Sequence, residues 1–376
     1  MPAFTKPQPP PSPTKTRIAI IGTGSVGSAI AYALLHGSRY SDLLLVDVRH
    51  DKRDAQVRDL SDAACAEGSS TRVRAATLRD AGGCDVVVIA AGVKRRRGES
   101  AVSGDANAPV LAPHNRSPIP GETRVQQLER TSAILRHIID GMKPFFLPTT
   151  ILLIVSNPVD VLTTLAYRLA DLPSSQVLGL GTYLDTVRLR RIIAEELKIS
   201  PESVHADILG TPDYGPQAEF PAWSKAVISG IPISESPMTP TDFDALTEAE
   251  LAARSRKEGL VVTDVKGAPT FSIASSVARI ISAIIYDNKS QIPLFGRLPD
   301  QAVSLSVGPM PISHFQEELG CCVSSPAFLG REGVVRPAGV KLQEPEEKKL
   351  VGAGVTVGET VERLMEHAAV GGKEEE

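Results

Sequence analysis

A glycine-rich hexapeptide near the amino terminus has the residue types and the spacing that bind phosphate groups. Residues 22–27 read G-T-G-S-V-G, a G-x-G-x-x-G pattern that follows a short β-branched run and precedes a stretch of helical spacing. In that setting Gly22 permits a tight turn, Gly24 lets the backbone approach a pyrophosphate, and Gly27 lets the helix pack against a strand. The N–H groups at the start of the helix, from Ser25 and Val26 onward, would hold the phosphate oxygens.

A carboxylate further along the chain is suited to the ribose of a dinucleotide. Asp47 lies 20 residues after Gly27, at the end of a second apolar run, where an acidic side chain accepts hydrogen bonds from the ribose hydroxyls. A carboxylate in this position also repels the additional phosphate of NADP. The pattern therefore predicts NAD as the cofactor; the alternative is an ordinary glycine turn beside a surface aspartate.

Two later segments carry polar groups suited to a small organic acid. Residues 184–188 read L-D-T-V-R, which sets Asp185 and Arg188 three residues apart and so on one face at the start of a helix. An arginine fork can bind a carboxylate through two parallel hydrogen bonds. Residues 155–158 read V-S-N-P and place Asn157 in a tight turn at a strand end. The alternative for Asp185 and Arg188 is a surface ion pair.

The elements that must position these groups alternate between strands and helices. Continuous apolar runs predict buried parallel strands at residues 17–21, 43–48, 85–90 and 151–155, and helical spacing predicts helices at residues 25–36, 55–66 and 125–142. Further along, the pattern predicts strands at 177–181, 204–210 and within 303–327, and helices at 186–198 and 271–286. This alternation is typical of an α/β fold with a parallel sheet.

Composition argues against several other classes of protein. The 376 residues carry 40 Lys and Arg against 44 Asp and Glu, so no basic excess is present to bind nucleic acid or an anionic membrane. The longest apolar stretch is far shorter than the roughly 18 residues of a membrane-spanning helix. Cys65, Cys84, Cys321 and Cys322 lack the spacing of a zinc site, so we expect no metal and four reduced, packed thiols. Residues 1–16 predict a disordered, proline-rich tail without a secretory signal, and we expect a cytoplasmic protein.

Taken together and in order, these motifs resemble the L-lactate/L-malate dehydrogenase family. The motifs follow one another in the order seen in that family: the dinucleotide pattern, V-D-V at 46–48, A-A-G at 90–92, V-S-N-P and L-D-T-V-R. The likeness runs from about residue 17 to about residue 363. Within that family the chain is most similar to fungal L-lactate dehydrogenase-like members. The resemblance implies a Rossmann-type parallel-sheet domain at 17–180, an α+β substrate domain at 181–370, and a homo-oligomer (dimer or tetramer).

The family's chemistry assigns a role to each of these residues. It implies hydride transfer between NAD and a 2-keto or 2-hydroxy acid whose carboxylate binds Arg188, with Asn157 contacting the substrate and the cofactor. Asp185 matches the carboxylate that orients a catalytic histidine, and Arg124 matches a loop arginine that polarises the substrate carbonyl. Further cofactor contacts are implied for Ala91, Gly92 and Val155.

Arg95 occupies the position that selects the substrate in this family. An arginine there pairs with the second carboxylate of oxaloacetate and favours malate, whereas the overall similarity favours lactate. The basic run at 94–97 is otherwise a solvated loop. An exposed loop arginine is likewise the alternative reading of Arg124.

Two segments depart from the family pattern. Residues 101–122 form a proline-containing insertion, and residues 210–217 read G-T-P-D-Y-G-P-Q where the family has a proton-donating histidine in G-E-H-G-D. Three interpretations follow: an active dehydrogenase with a different proton donor near Asp213 or Tyr214, an NAD-binding pseudoenzyme, or altered splicing that created residues 101–122 and 211–218.

Overall fold

The computed structural model describes residues 16–36, 40–92, 124–214, 217–239, 245–287 and 309–371. Within these ranges the strands are β1 Arg17–Ile21, β2 Asp42–Val46, β3 Arg72–Ala75, β4 Val86–Ile89, β5 Ile151–Ile154, β6 Val177–Gly179, β7 Val204–His205, β8 Ile208–Gly210, β9 Glu219–Pro221, β10 Val227–Ile228, β11 Ile231–Pro232, β12 Met310–Gln316, β13 Cys321–Gly330 and β14 Gly333–Pro337. The helices are α1 Ser25–Leu35, α2 His50–Ala66, α3 Leu78–Gly82, α4 Arg124–Met142, α5 Val159–Ala170, α6 Tyr183–Leu197, α7 Ala245–Lys266, α8 Thr270–Ile285 and α9 Glu344–Gly371.

The first six strands form a parallel sheet in the order β3-β2-β1-β4-β5-β6. This is the strand order of dinucleotide-binding sheets, in which ligands bind beyond the carboxyl ends of the strands. The sheet continues through the antiparallel strands β12, β13, β8 and β9, joined to β6 by the pair Ser313 and Gly179. The fold is therefore α/β, as the sequence predicts, with strands of the carboxyl-terminal half extending the same sheet.

Alternation along the central strands divides their side chains between two cores. Ile18 and Ile20 of β1 pack with α1, α2 and α8 on one face, whereas Ala19 and Ile21 pack with α3, α4 and α5 on the other. Successive side chains of a strand point to opposite faces, so a strand covered on both sides must be apolar throughout. This explains why β1, β2, β4 and β5 read as continuous apolar runs.

The structure corrects several predicted boundaries. The strand predicted at 43–48 ends at Val46. The helix predicted at 55–66 begins earlier, at His50. The sequence pattern missed its first residues because they are polar and show no apolar periodicity. The single strand predicted at 204–210 is two strands, β7 and β8, which lie in different sheets. The predicted strands near the carboxyl end continue to Pro337 as β14.

Several elements have no prediction from the sequence. They are β3, β9, β10, β11, α3, α5, α7 and α9. The two long helices α7 and α9 have only a few buried apolar positions spread over many polar residues. Cys84, Cys321 and Cys322 are buried free thiols as expected, but Cys65 is exposed and its expected packing is wrong. In the described part of the chain no single helix has the length and hydropathy to cross a membrane, although the bent pair Thr247–Lys266 and Thr270–Ile285 passes that test by length and composition.

The interior of β5 gives a direct test of the core. Leu153 is fully buried against the α1 and α8 side of the sheet, so Leu153→Ala should lower the free energy of unfolding by about 2–5 kcal/mol through lost apolar burial and a residual cavity. Leu147→Ala is the matched control, because Leu147 is 39% exposed and should change stability by less than about 0.5 kcal/mol. Urea denaturation of the two variants measures the difference, and equal losses would contradict this description of the core.

Candidate active site

The glycine-rich loop joins β1 to α1 and leaves the start of the helix open. Gly22 has φ of +95°, a conformation that L side chains rarely adopt, and a Cβ there would lie 2.8 Å from the Ala91 backbone. A Cβ at Gly27 would lie 1.9 Å from the Gly22 carbonyl oxygen, whereas a Cβ at Gly24 meets no protein atom within 4 Å. Gly24 is also the N-cap of α1 without a side-chain capping bond. The loop therefore leaves room for a group to approach the first helical N–H groups, which include those of Ser25 and Val26.

Asp47 is held directly beside this loop. Its Oδ2 atom accepts hydrogen bonds from the Thr23 backbone N–H at 2.8 Å and from the Thr23 hydroxyl at 3.2 Å. Its Oδ1 atom accepts a hydrogen bond from the Arg49 N–H at 3.0 Å. Thr23 is fully buried while Asp47 is half-buried, so the carboxylate is fixed at the edge of the loop with part of its surface open to a ligand.

The segments that follow β4 and β5 complete this edge of the sheet. The Ser156 hydroxyl donates to the carbonyl oxygen of Ala91 at 2.6 Å, which ties the two segments together. A Cβ at Gly92 would lie 3.5 Å from that of Ser156, and Val155 is buried between the layers. Asn157 comes next and is exposed. The residues predicted to contact a cofactor therefore lie along the carboxyl ends of β1, β2, β4 and β5.

The first two turns of α6 bring the predicted orienting carboxylate and the predicted substrate arginine together. Arg188 donates from Nη1 to Oδ1 of Asp185 at 2.5 Å, and their side chains are 11% and 25% exposed. Gly181 precedes this turn with φ of +61°, and a Cβ there would lie 2.5 Å from the Ser313 nitrogen of β12. This close passage sets the direction in which α6 leaves the sheet.

Strand β8 runs beside the same turn of α6. The Thr182 hydroxyl donates to the Ile208 carbonyl at 2.5 Å, and the Ile208 N–H donates to the Thr186 hydroxyl at 2.8 Å. Asp185 lies between these two threonines in sequence. The loop that follows β8, which has no histidine, therefore begins close to the start of α6, and its Thr211 N–H donates to the Ala218 carbonyl at 2.8 Å.

Tyr214 in this loop is turned toward the carboxyl-terminal helix. Its hydroxyl donates to the Thr360 hydroxyl of α9 at 3.2 Å, and its ring packs against the cluster that contains Val357 and Val361. This contact holds the Tyr214 hydroxyl on α9. The side chain of Asp213, the other expected substitute, lies outside the described residues, as does the loop segment at 215–216.

None of the histidines in the described ranges lies in the loop after β8, where the family has its proton donor. His36, His50, His137, His205 and His367 are exposed, and His36 and His367 pair with Glu67 and Glu129. His314 is buried on β12, where its Nε2 atom lies 3.0 Å from the Ser325 hydroxyl. Burial lowers the pKa of His314 to about 4, so this ring is neutral at pH 7. Because Ser313 pairs with Gly179, His314 lies on the side of that pair away from Gly181 and the cofactor edge.

The side chains of two predicted site arginines, and the whole insertion, lie outside the described part of the protein. Arg95 and residues 101–122 lie outside the described ranges, as does His114. Arg124, expected in a loop, is the first residue of α4, and its side chain lies outside the described part of the protein. Their predicted roles stay predictions.

Sequence comparison decides the family. The model described as the NAD binding domain of lactate/malate dehydrogenase matches residues 16–110 and 108–179, and the model of the lactate/malate dehydrogenase alpha/beta C-terminal domain matches residues 182–367. The chain belongs to the lactate/malate dehydrogenase family. It is accordingly an NAD-dependent oxidoreductase of the 2-hydroxy acid class, and the predicted cofactor and fold class are confirmed.

Individual relatives agree with this assignment. L-lactate dehydrogenase A of Rhizopus oryzae is 34% identical over 336 residues, which cover 89% of each chain, and L-lactate dehydrogenase of Gloeobacter violaceus is 34% identical over 348 residues, 92% of this chain and 93% of the relative. Among solved structures, MGS-M5, a lactate dehydrogenase from a deep-sea metagenome library of the Medee basin, superposes with a TM-score of 0.76 at 25% identity. That match covers 93% of this chain and 99% of the other.

The groups at the carboxyl-terminal edge of the parallel sheet fit NAD. The open space at Gly24 and the uncapped start of α1 suit the pyrophosphate, and the fixed carboxylate of Asp47 suits the ribose hydroxyls. Sequence reasoning missed Thr23, because it fills a variable position of the glycine pattern. It also missed the role of Ser156, and nothing in the local sequence marks that hydroxyl as a link to Ala91.

The Thr23 hydroxyl gives a test of how Asp47 is held. Thr23→Val removes one hydrogen bond to Oδ2 and keeps the backbone bond, so the Kd for NADH should rise about fivefold, the equivalent of about 1 kcal/mol. Thr23→Ser keeps the hydroxyl and should bind as the wild type does. Fluorescence titration with NADH measures both. Equal affinity of the valine variant and the wild type would show that the hydroxyl does not position Asp47.

Proposed function

We propose that this chain is an L-lactate dehydrogenase-like enzyme that reduces pyruvate with NADH to lactate. The observation that carries the proposal is the pair of 34% identical relatives named L-lactate dehydrogenase, each aligned over about nine-tenths of this chain. The start of α6 supports it, because Arg188 in its second turn has a guanidinium suited to a substrate carboxylate.

Each proposed site residue contributes a distinct step. NADH, held along Gly22–Gly27 and Asp47, supplies the hydride when bound. Arg188 binds the substrate carboxylate and sets which face of the carbonyl meets the cofactor. Asn157, exposed after β5, contacts the substrate and the nicotinamide ribose. Arg124, at the start of α4, stabilises negative charge that develops on the carbonyl oxygen.

The supply of a proton to the carbonyl oxygen limits the rate of the proposed reaction. A histidine suits that transfer near neutral pH, and such general acid help contributes about 10²–10⁴ in rate. The loop after β8 offers no histidine, and the Tyr214 hydroxyl is bonded to Thr360. We therefore propose that turnover is slow and that the proton comes from water or from the protonated form of Asp213, a minor form at neutral pH because the unperturbed pKa of aspartate is about 3.9.

Two other functions have an observation in their favour. Arg95 would favour a dicarboxylate, so malate dehydrogenase activity is the alternative substrate assignment. The missing histidine favours a catalytically impaired, NAD-binding pseudoenzyme, since the cofactor edge keeps its geometry while the proton donor is absent.

The same family assignment supports a homo-oligomer of two or four chains located in the cytoplasm. Exposed apolar side chains support a contact surface on α7 and α8, where Val265 is 69% exposed and Phe271 is 73% exposed. We keep the predicted domain boundary near residue 180 as part of this proposal, with residues 1–16 as a tail.

Parallel assays of NADH oxidation test the substrate and the turnover together. With pyruvate we expect a kcat about 10²–10⁴-fold below that of the Rhizopus oryzae relative measured alongside, because the general acid is missing. NADH binding is the control, and Arg188→Lys should reduce the activity further, since lysine lacks the planar fork. Preference for oxaloacetate would establish the malate alternative. NADH binding without turnover of either acid would establish the pseudoenzyme.

Arg95→Gln tests the substrate loop separately. If Arg95 faces the second carboxylate of a dicarboxylic acid, the variant should lower the ratio of oxaloacetate to pyruvate activity by about tenfold or more, the cost of leaving a charge unpaired. Lys94→Gln is the matched control from the same basic run. An unchanged ratio would place Arg95 outside the substrate pocket.

A further inference from the structure

The ion pair of Asp185 and Arg188 engages the group to which we assign the substrate carboxylate. Both residues lie in the first two turns of α6, and Nη1 of Arg188 reaches Oδ1 of Asp185 at 2.5 Å. The Arg188 side chain is only 11% exposed, so few water molecules compensate its charge. A carboxylate from this chain therefore already contacts the proposed carboxylate receptor.

Helix α7 restricts where the guanidinium of Arg188 can move. Gly259 faces it, and a Cβ at Gly259 would lie 2.8 Å from Nη1, 3.1 Å from Cζ and 3.4 Å from Nη2. The guanidinium thus packs against α7 at Gly259, and an added Cβ there would require the end of the arginine side chain to shift. The contact with α7 and the bond from Nη1 to Asp185 together restrain the guanidinium of Arg188.

The charge balance of this pair differs from that of a site with a protonated histidine. A histidinium beside Asp185 would offset the carboxylate and leave the positive charge of Arg188 for the substrate. Here the loop after β8 has no histidine, and Asp185 and Arg188 together sum to zero. An incoming carboxylate then meets a neutralised arginine and a nearby like charge, which opposes its binding.

We propose that Asp185 acts in this chain as an internal competitor of the substrate carboxylate for Arg188, and that it weakens the binding of small 2-keto acids. The proposal rests on the proposed function, in that it takes Arg188 as the substrate receptor. It makes Asp185 a residue that sets the affinity of Arg188 for a ligand rather than the partner of a catalytic histidine. Removal of its charge should therefore improve ligand binding, the opposite of the effect expected from damage to a structural or catalytic aspartate.

Oxamate, a non-reducible analogue of pyruvate, tests this without need of turnover. Its Kd for the complex of the full chain with NADH can be measured by quenching of NADH fluorescence. Asp185→Asn should bind oxamate about tenfold more tightly than the wild type, the equivalent of about 1.4 kcal/mol, with the Kd for NADH unchanged. Asp185→Ser removes the same charge with a side chain that is tolerated at a helix start, and it should behave alike if the asparagine variant fails to fold.

Two control variants separate the local contact from a general change of charge. Asp185→Glu keeps the carboxylate and should retain weak binding. Glu195→Gln removes one negative charge from the same helix, where Glu195 pairs with exposed Arg191, ten residues and therefore about 15 Å away. It should leave the oxamate Kd unchanged, because exposed charges at that distance are screened by salt.

The outcomes distinguish this proposal from the function on which it rests. Tighter oxamate binding by Asp185→Asn and Asp185→Ser alone supports competition by Asp185. Unchanged or weaker binding by both variants, with measurable wild-type binding, overturns the competition and leaves Arg188 as the receptor. Failure of the wild type and of both neutral variants to bind oxamate, although all bind NADH, overturns the assignment of Arg188 as well.

Discussion

The convergence of parallel strands at one edge of the sheet is the constraint on which the whole site depends. Strands β1, β2, β4 and β5 end side by side, and each continues into a segment that faces the same space. The hydrogen bond from the Thr23 N–H to Asp47 joins the first two of these segments, and that from Ser156 to Ala91 joins the other two. A hydrogen bond from a backbone N–H group to a carboxylate is short and strong. The Asp47 carboxylate is therefore fixed in position before any ligand binds.

The cofactor half of the site retains its expected groups, whereas the substrate half lacks one of them. The cofactor half keeps the open helix start, the close approach at Gly27 and a positioned carboxylate. The substrate half keeps Arg188, but its charge is balanced by Asp185 and no imidazole follows β8. Binding of NADH therefore requires one set of residues and transfer of its hydride to an acid requires another. Only the residues required for NADH binding are all present in the expected arrangement.

Local sequence predicts the fold well where chemistry and secondary structure coincide. The glycine pattern requires a strand before it and a helix after it, and both are observed as β1 and α1. The three-residue spacing of Asp185 and Arg188 predicts a shared helix face, and the two side chains do meet. Helices α7 and α9 could not be predicted in the same way, because much of their surface is polar and tertiary contacts stabilise them.

Contacts between segments distant in sequence lie beyond the reach of such patterns. The local sequence around Gly259 gives no sign of a neighbour, and its closeness to Arg188 follows only from the packing of α7 on α6. The split of residues 204–210 into β7 and β8 likewise depends on strand partners elsewhere in the chain. Tyr214 could serve as a proton donor by its chemistry alone, but its bond to Thr360 is visible only in three dimensions.

Hydrogen–deuterium exchange with and without NADH tests most directly whether this edge of the sheet is the cofactor site. Uncapped N–H groups at the start of α1 should exchange rapidly in the free protein and slowly once phosphate oxygens accept their hydrogen bonds. We predict NADH-dependent protection in peptides that contain residues 22–28, 47–50 and 90–92, with little change in β12 and β13. Protection confined to other segments, under conditions where NADH is bound, would contradict the account.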